Sequence, residues 1–114
     1  MHELPLTEQI ITIASEKASE HQAQKVLRIA LVVGELSGFV GESIQMYFDV
    51  ISKGTLCEGA ILEIETIEAK WYCPSCDCHY VREPLSFACP HCAKDGLPTD
   101  LGKEFYVKHI EIDT

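Results

Sequence analysis

With 114 residues, 46% of them apolar and 24% charged, the chain has the make-up of one folded domain or of a small domain carrying a metal-stapled insert. At this length roughly 65% of the unfolded surface is hidden on folding, so most of the chain needs no covalent help. A formal net charge of −9, from 18 acidic against 9 basic residues, repels phosphate backbones, which proteins bind mainly through Lys and Arg, and this excludes nucleic acid as the expected partner.

The first half alternates between helix and strand. Leu6, Ile10, Ile13, Ala14 and Ala18 form a one-sided stripe that predicts a helix from Leu6 to Ala18. Pro5 is acceptable in its first turn, and the polar stretch Glu20 to Gln24 ends it. Val26 to Val33 is a strand with Leu27, Ile29, Leu31 and Val33 on one face, and Gly34 closes it. Ile44, Tyr47, Phe48 and Ile51 then predict a second helix from about Glu42 to Lys53, with Gly54 as its C-terminal cap. Ala60 to Glu68 reads as a strand with Ala60, Leu62 and Ile64 facing inward. Glu104 to Ile112 is a last strand, whose alternation slips near Lys108-His109, so a bulge is expected there. The expected fold is α+β: a three-stranded sheet with two helices on one face, built from residues 1–69 and 103–114, and a zinc-binding insert over 70–102.

The paired cysteines lie in that insert. Cys73-Pro74-Ser75-Cys76 and Cys89-Pro90-His91-Cys92 are two Cys-x-x-Cys hooks. No apolar run spans a bilayer, and Met1-His2-Glu3-Leu4-Pro5 opens no secretory signal. The expected location is therefore the cytoplasm, where cysteines serve as metal ligands or buried thiols before they form disulfides. Two hooks supply four soft donors to a tetrahedral zinc and leave no open position, which makes a structural site and not a catalytic one. Cys78 is then a spare thiol beside the site, able to support another coordination. His79 and His91 read as exposed turn residues, and Cys57 as a small buried one. A nucleophile–base pair and a phosphate-binding glycine loop are both lacking, so no enzyme is expected.

The chain start offers a second donor set. The α-amine of Met1, once deprotonated, a backbone amide and the His2 imidazole can wrap one ion in fused chelate rings, as Ni(II) and Cu(II) favour. Glu3 adds an oxygen donor, a backbone nitrogen or charge. On chemistry alone, a second-position histidine is more often a solvated terminal residue.

Met1-His2-Glu3-Leu4 ahead of an α/β region and two cysteine hooks resembles the HypA/HybF family, as do Val33-Gly34-Glu35-Leu36-Ser37, Glu58 to Ile64 and Ile110-Glu111-Ile112. The resemblance covers essentially the whole chain. It implies a nickel metallochaperone for [NiFe]-hydrogenase maturation, with urease a recipient for some members. It also implies a HypB-type GTPase and the hydrogenase large subunit or its maturation complex as partners. By position, His2 is the nickel ligand with Met1 and Glu3 around it, and Cys73, Cys76, Cys89 and Cys92 are the zinc ligands. Asp77 and Ala93 stand where family members often carry glycine, which puts the turn geometry after each hook in question. The reading that competes is a zinc-ribbon adaptor for protein interaction, without a nickel role.

Overall fold

The computed structural model describes residues 3–113. In chain order the elements are helix α1 (Glu3–Glu20), strand β1 (Val26–Gly34), helix α2 (Gly41–Ile51), strand β2 (Ile61–Ile67), the short strands β3 (Trp71–Cys73), β4 (Cys78–Tyr80) and β5 (Leu97–Pro98), and strand β6 (Phe105–Ile112). The long strands form one sheet in the order β2-β1-β6, with β1 parallel to β2 and antiparallel to β6. The short strands form a second, antiparallel sheet in the order β4-β3-β5. The expected α+β architecture is therefore present. Two sheets with separate apolar clusters make the molecule long, 55 × 27 × 16 Å. Its radius of gyration of 18.1 Å exceeds the ~13 Å of a compact chain this long.

Helix α1 begins at Glu3, ahead of the expected Leu6. The first N–H groups of a helix have no intrahelical partner, so Pro5 fits inside the opening turn. The buried arc is Thr7, Ile10, Ile11, Ala14 and Ala18, and Ile13, expected inside, is half exposed. The helix packs mainly on α2 and also on β1 and β6, with Cys57 set against Ser15 and the Ile11 carbonyl, which draws Ile11 inward and leaves Ile13 out. Its end is a Schellman motif: Ala23 N–H donates to the Ala18 carbonyl at 2.9 Å and Gln22 N–H to Ser19 at 3.0 Å. Gln22 takes the left-handed turn with φ 60°.

Strand β1 differs from its simple alternation at one end. The pairing Val26↔Ile112 followed by Arg28↔Glu111 leaves Leu27 as an extra residue. This bulge turns Leu27 outward and Val26 into the core beside Ile29, Leu31 and Val33. The second bulge falls where the sequence predicts it. Ala30 pairs with His109 and Leu31 with Val107, so Lys108 is the unpaired residue, and Phe105, Val107, Ile110 and Ile112 all pack against the core. Helix α2 adds Ile44 and Phe48 to that core and strand β2 adds Leu62. Gly54 has the expected positive φ of 79°, two residues beyond the cap position Ser52.

Candidate metal centre

The second sheet builds the site. Strands β3 and β4 form a hairpin pairing Trp71 with Tyr80, Tyr72 with His79 and Cys73 with Cys78. Side chains alternate across a strand, so Trp71, Cys73, Cys78 and Tyr80 share one face, and all four belong to the small apolar cluster with Cys89 and Cys92. Tyr72 and His79 take the other face, where their rings lie 5.3 Å apart. His79 is thus turned away from the cysteines and exposed, and His91 is exposed as well.

The second hook is a tight knuckle. Cys89 N–H donates to the Lys94 carbonyl and Ala93 N–H to the Cys89 carbonyl, both at 2.8 Å. His91 N–H points at the Cys89 sulfur at 3.4 Å. Tyr80 braces this loop: its hydroxyl donates to the Phe87 carbonyl at 2.6 Å and accepts from Gly96 N–H at 3.2 Å. A side chain at Gly96 would lie 2.5 Å from the Tyr80 oxygen and 2.6 Å from the Tyr72 carbonyl. Sequence reasoning gave Tyr80 and Gly96 no part in the site. The available signal was the glycine itself, placed between a hook and a strand.

Asp77 and Ala93 follow the hooks with φ 52° and 64°. The turn geometry that glycine would permit is therefore kept by two residues for which the left-handed region costs about 1–2 kcal/mol. Asp77 has a local return, because its carboxylate accepts a 2.5 Å hydrogen bond from the Tyr72 hydroxyl. Ala93 has only its backbone bond. Ala93→Gly is expected to stabilise the zinc-loaded insert by about 0.5–1 kcal/mol, read as a higher unfolding temperature, and Asp77→Gly is expected to gain less.

The ligand atoms of Cys73, Cys76, Cys89 and Cys92 all lie within 4.8 Å of one another. Among the described residues this is the single group of three or more Cys, His, Asp or Glu side chains that fits a metal ion. Cys73 and Cys92 sulfurs are 3.5 Å apart, close to the ~3.8 Å edge of a tetrahedron with Zn–S bonds of about 2.3 Å. Cys73 and Cys89 are buried, Cys92 half-buried and Cys76 exposed. Without a cation the thiols share protons. Cys76 is pushed up to about 12, first by its hydrogen bond to Cys92, then by lost hydration and by Cys73 and Cys89. For Cys89 lost hydration opposes the thiolate, yet N–H groups of His91 and Cys92, with the thiols of Cys73 and Cys92, bring it down to about 6. Four thiolates coexist at this spacing only when a cation neutralises them, and the all-sulfur donor set fits Zn(II).

Of the two remaining cysteines, Cys78 lies half-buried on the hairpin face and Cys57 is fully buried as expected. Its sulfur lies 3.6 Å from the Ser15 hydroxyl and 3.7 Å from the Ile11 carbonyl, and burial pushes its thiol up, which leaves it inert. Of the terminal donors, Met1 and His2 lie outside the described residues. Glu3 opens α1, its carbonyl accepting from the Thr7 hydroxyl at 2.6 Å and its carboxylate from Val40 N–H at 3.3 Å. No helix of the described residues is long and apolar enough to cross a membrane.

The fold and donor set define a small α+β protein with a four-cysteine centre of structural type. A family model described as "Hydrogenase/urease nickel incorporation, metallochaperone, hypA" matches residues 1–112. The hydrogenase maturation factor HypA of Caldanaerobacter subterraneus is 36% identical over 99% of this chain and 100% of that protein. A HypA of Dehalococcoides mccartyi is 38% identical over 99% of this chain and 95% of its own. Among solved structures, that of the Ni metallochaperone HypA from Helicobacter pylori aligns with a TM-score of 0.64 at 25% identity, covering 98% of this chain and 97% of that one. A further HypA solution structure aligns at 0.68 and 25%, covering 98% and 96%. The chain belongs to the HypA family, and the geometry of its four-cysteine cluster is compatible with zinc binding.

Proposed function

We propose that this chain is a nickel carrier for hydrogenase maturation that takes Ni(II) at its amino terminus. The observation that carries the reading is the family match, which runs from residue 1 and so includes the terminal donors along with the whole fold. In this reading His2 supplies an imidazole nitrogen, Met1 its α-amine and Glu3 a carboxylate or backbone nitrogen. Such a nitrogen-rich set suits Ni(II). The partial positive charge at the start of α1 opposes a bound cation, which favours release, while the Glu3 carboxylate offsets part of that charge. Cys73, Cys76, Cys89 and Cys92 hold a structural zinc that folds residues 70–102 into a docking module. The partners in this reading are a HypB-type GTPase and the hydrogenase large subunit, with urease a second recipient, and the setting is the cytoplasm. The work is binding and transfer, and no step requires catalysis.

Calorimetric titration of Ni(II) into the untagged, zinc-loaded chain tests this. Stoichiometric binding is expected, and one residue added ahead of Met1 is expected to weaken it strongly, because the amine then leaves chelate range. Unaltered affinity in the extended chain would contradict a site built on the α-amine.

A further inference from the structure

The metal centre has five sulfurs around it and a use for four. Cys78 pairs with Cys73 across the β3–β4 hairpin, and residues directly opposed on antiparallel strands hold their Cβ atoms about 4.5–5.5 Å apart on the same face. Its side chain packs in the cluster of Cys73, Tyr80 and Cys89. Two of the four expected ligands, Cys73 and Cys89, are buried and fixed, whereas Cys76 is exposed at the turn. Cys78 follows that turn after Asp77 and is more sheltered than Cys76.

We propose that Cys78 is a reserve ligand of the zinc centre, taking the place of Cys76 when that thiolate leaves the ion. This rests on the reading of the four cysteines as a zinc site. In the exchange one Zn–S bond to Cys76 breaks and one to Cys78 forms. The proton of the Cys78 thiol passes to the departing Cys76 sulfur, so the charge of the centre is unchanged and no oxidant is needed. Cys73 stays bound throughout, since the hairpin pairing already sets Cys78 beside it. The result is a free thiol at the surface of the module with zinc still held, where an ordinary four-cysteine site would open and lose its ion.

The test uses the full chain with Co(II) as the probe, whose thiolate charge-transfer intensity scales with the number of bound sulfurs. Cys76→Ser is expected to fold and to keep the wild-type intensity and affinity. Combining it with Cys78→Ser is expected to drop the intensity to that of three thiolates and the affinity by roughly a hundredfold. A folded or unfolded Cys76→Ser chain that fails to give four-thiolate cobalt overturns the proposal, provided the wild type does give it. A wild type without four thiolates overturns the underlying zinc reading instead. A second measurement needs no ligand substitution. Zinc-loaded wild type, alkylated once at Cys76 with iodoacetamide, is expected to retain zinc by native mass spectrometry, while Cys78→Ser loses it at the first alkylation. Equal zinc loss from both chains would overturn the exchange.

Discussion

Replacing Cys73 or Cys89 with serine is expected to release zinc and unfold residues 70–102 while the three-stranded sheet and its two helices stay folded. The insert's buried apolar side chains are Cys73, Tyr80 and Cys89, with Trp71, Cys78 and Cys92 packed beside them. Segments below about 40 residues bury too little to fold without a metal or a cross-link, and a structural zinc contributes on the order of 10 kcal/mol or more. The larger core draws on α1, α2, β1 and β2 and shares no buried residue with the insert. Metal analysis and amide NMR spectra check this, and a folded Cys73→Ser or Cys89→Ser chain with full zinc would refute the ligand assignment. Cys78 cannot compensate here, because both positions are buried and fixed by strand and knuckle hydrogen bonds.

The second large effect is expected at the waist between the two sheets. Gly34 ends β1 where the returning chain crosses it: Gly34 N–H donates to Glu104 at 2.6 Å and Leu36 N–H to Gly102 at 2.5 Å. A Cβ on Gly34 would fall onto the Gly102 carbonyl and lie 2.7 Å from the Glu104 nitrogen. Gly102 has φ +96°, and a Cβ there would lie 2.7 Å from the Ala69 Cα. These are backbone neighbours that cannot rotate aside, so Gly34→Ala is expected to cost about 3 kcal/mol. That corresponds to a fall in unfolding temperature on the order of 10 °C. Thermal unfolding followed in the far ultraviolet measures it, and an unchanged midpoint would contradict the packing described. Gly102→Ala combines backbone strain with its own clash against Ala69.

Much of this was legible because the patterns are local. The slip between Val107 and Ile110 announced the bulge at Lys108, since an extra residue is the simplest way to return two apolar runs to one face. The hooks announced four convergent thiols, since each Cys-x-x-Cys turn brings two sulfurs together. What was missed depends on partners far along the chain. Leu27 reads as a core residue from its own strand, and only the pairing of Val26 with Ile112 reveals that it bulges outward. Ile13 and Ile11 exchange places because α1 is covered from two sides, which a single-helix pattern does not encode. Gly34 is visible as a strand end, yet its need to be glycine comes from Gly102, 68 positions later. Tyr80 likewise gains its role from Phe87 and Gly96, which fold back onto it around the second hook. The glycine positions after the hooks were legible as a question, and the positive φ of Asp77 and Ala93 answers it: the turns are retained at a conformational cost.

The terminal donors stand apart, because no packing pattern marks them and their chemistry alone is common. A nickel titration of the untagged, zinc-loaded wild type beside His2→Ala therefore decides whether the amino terminus holds the ion. Stoichiometric Ni(II) binding is expected of the wild type and its loss in His2→Ala, with zinc content and fold unchanged. Equal nickel affinity in the two chains would contradict it and favour a zinc-stapled interaction module without a nickel role.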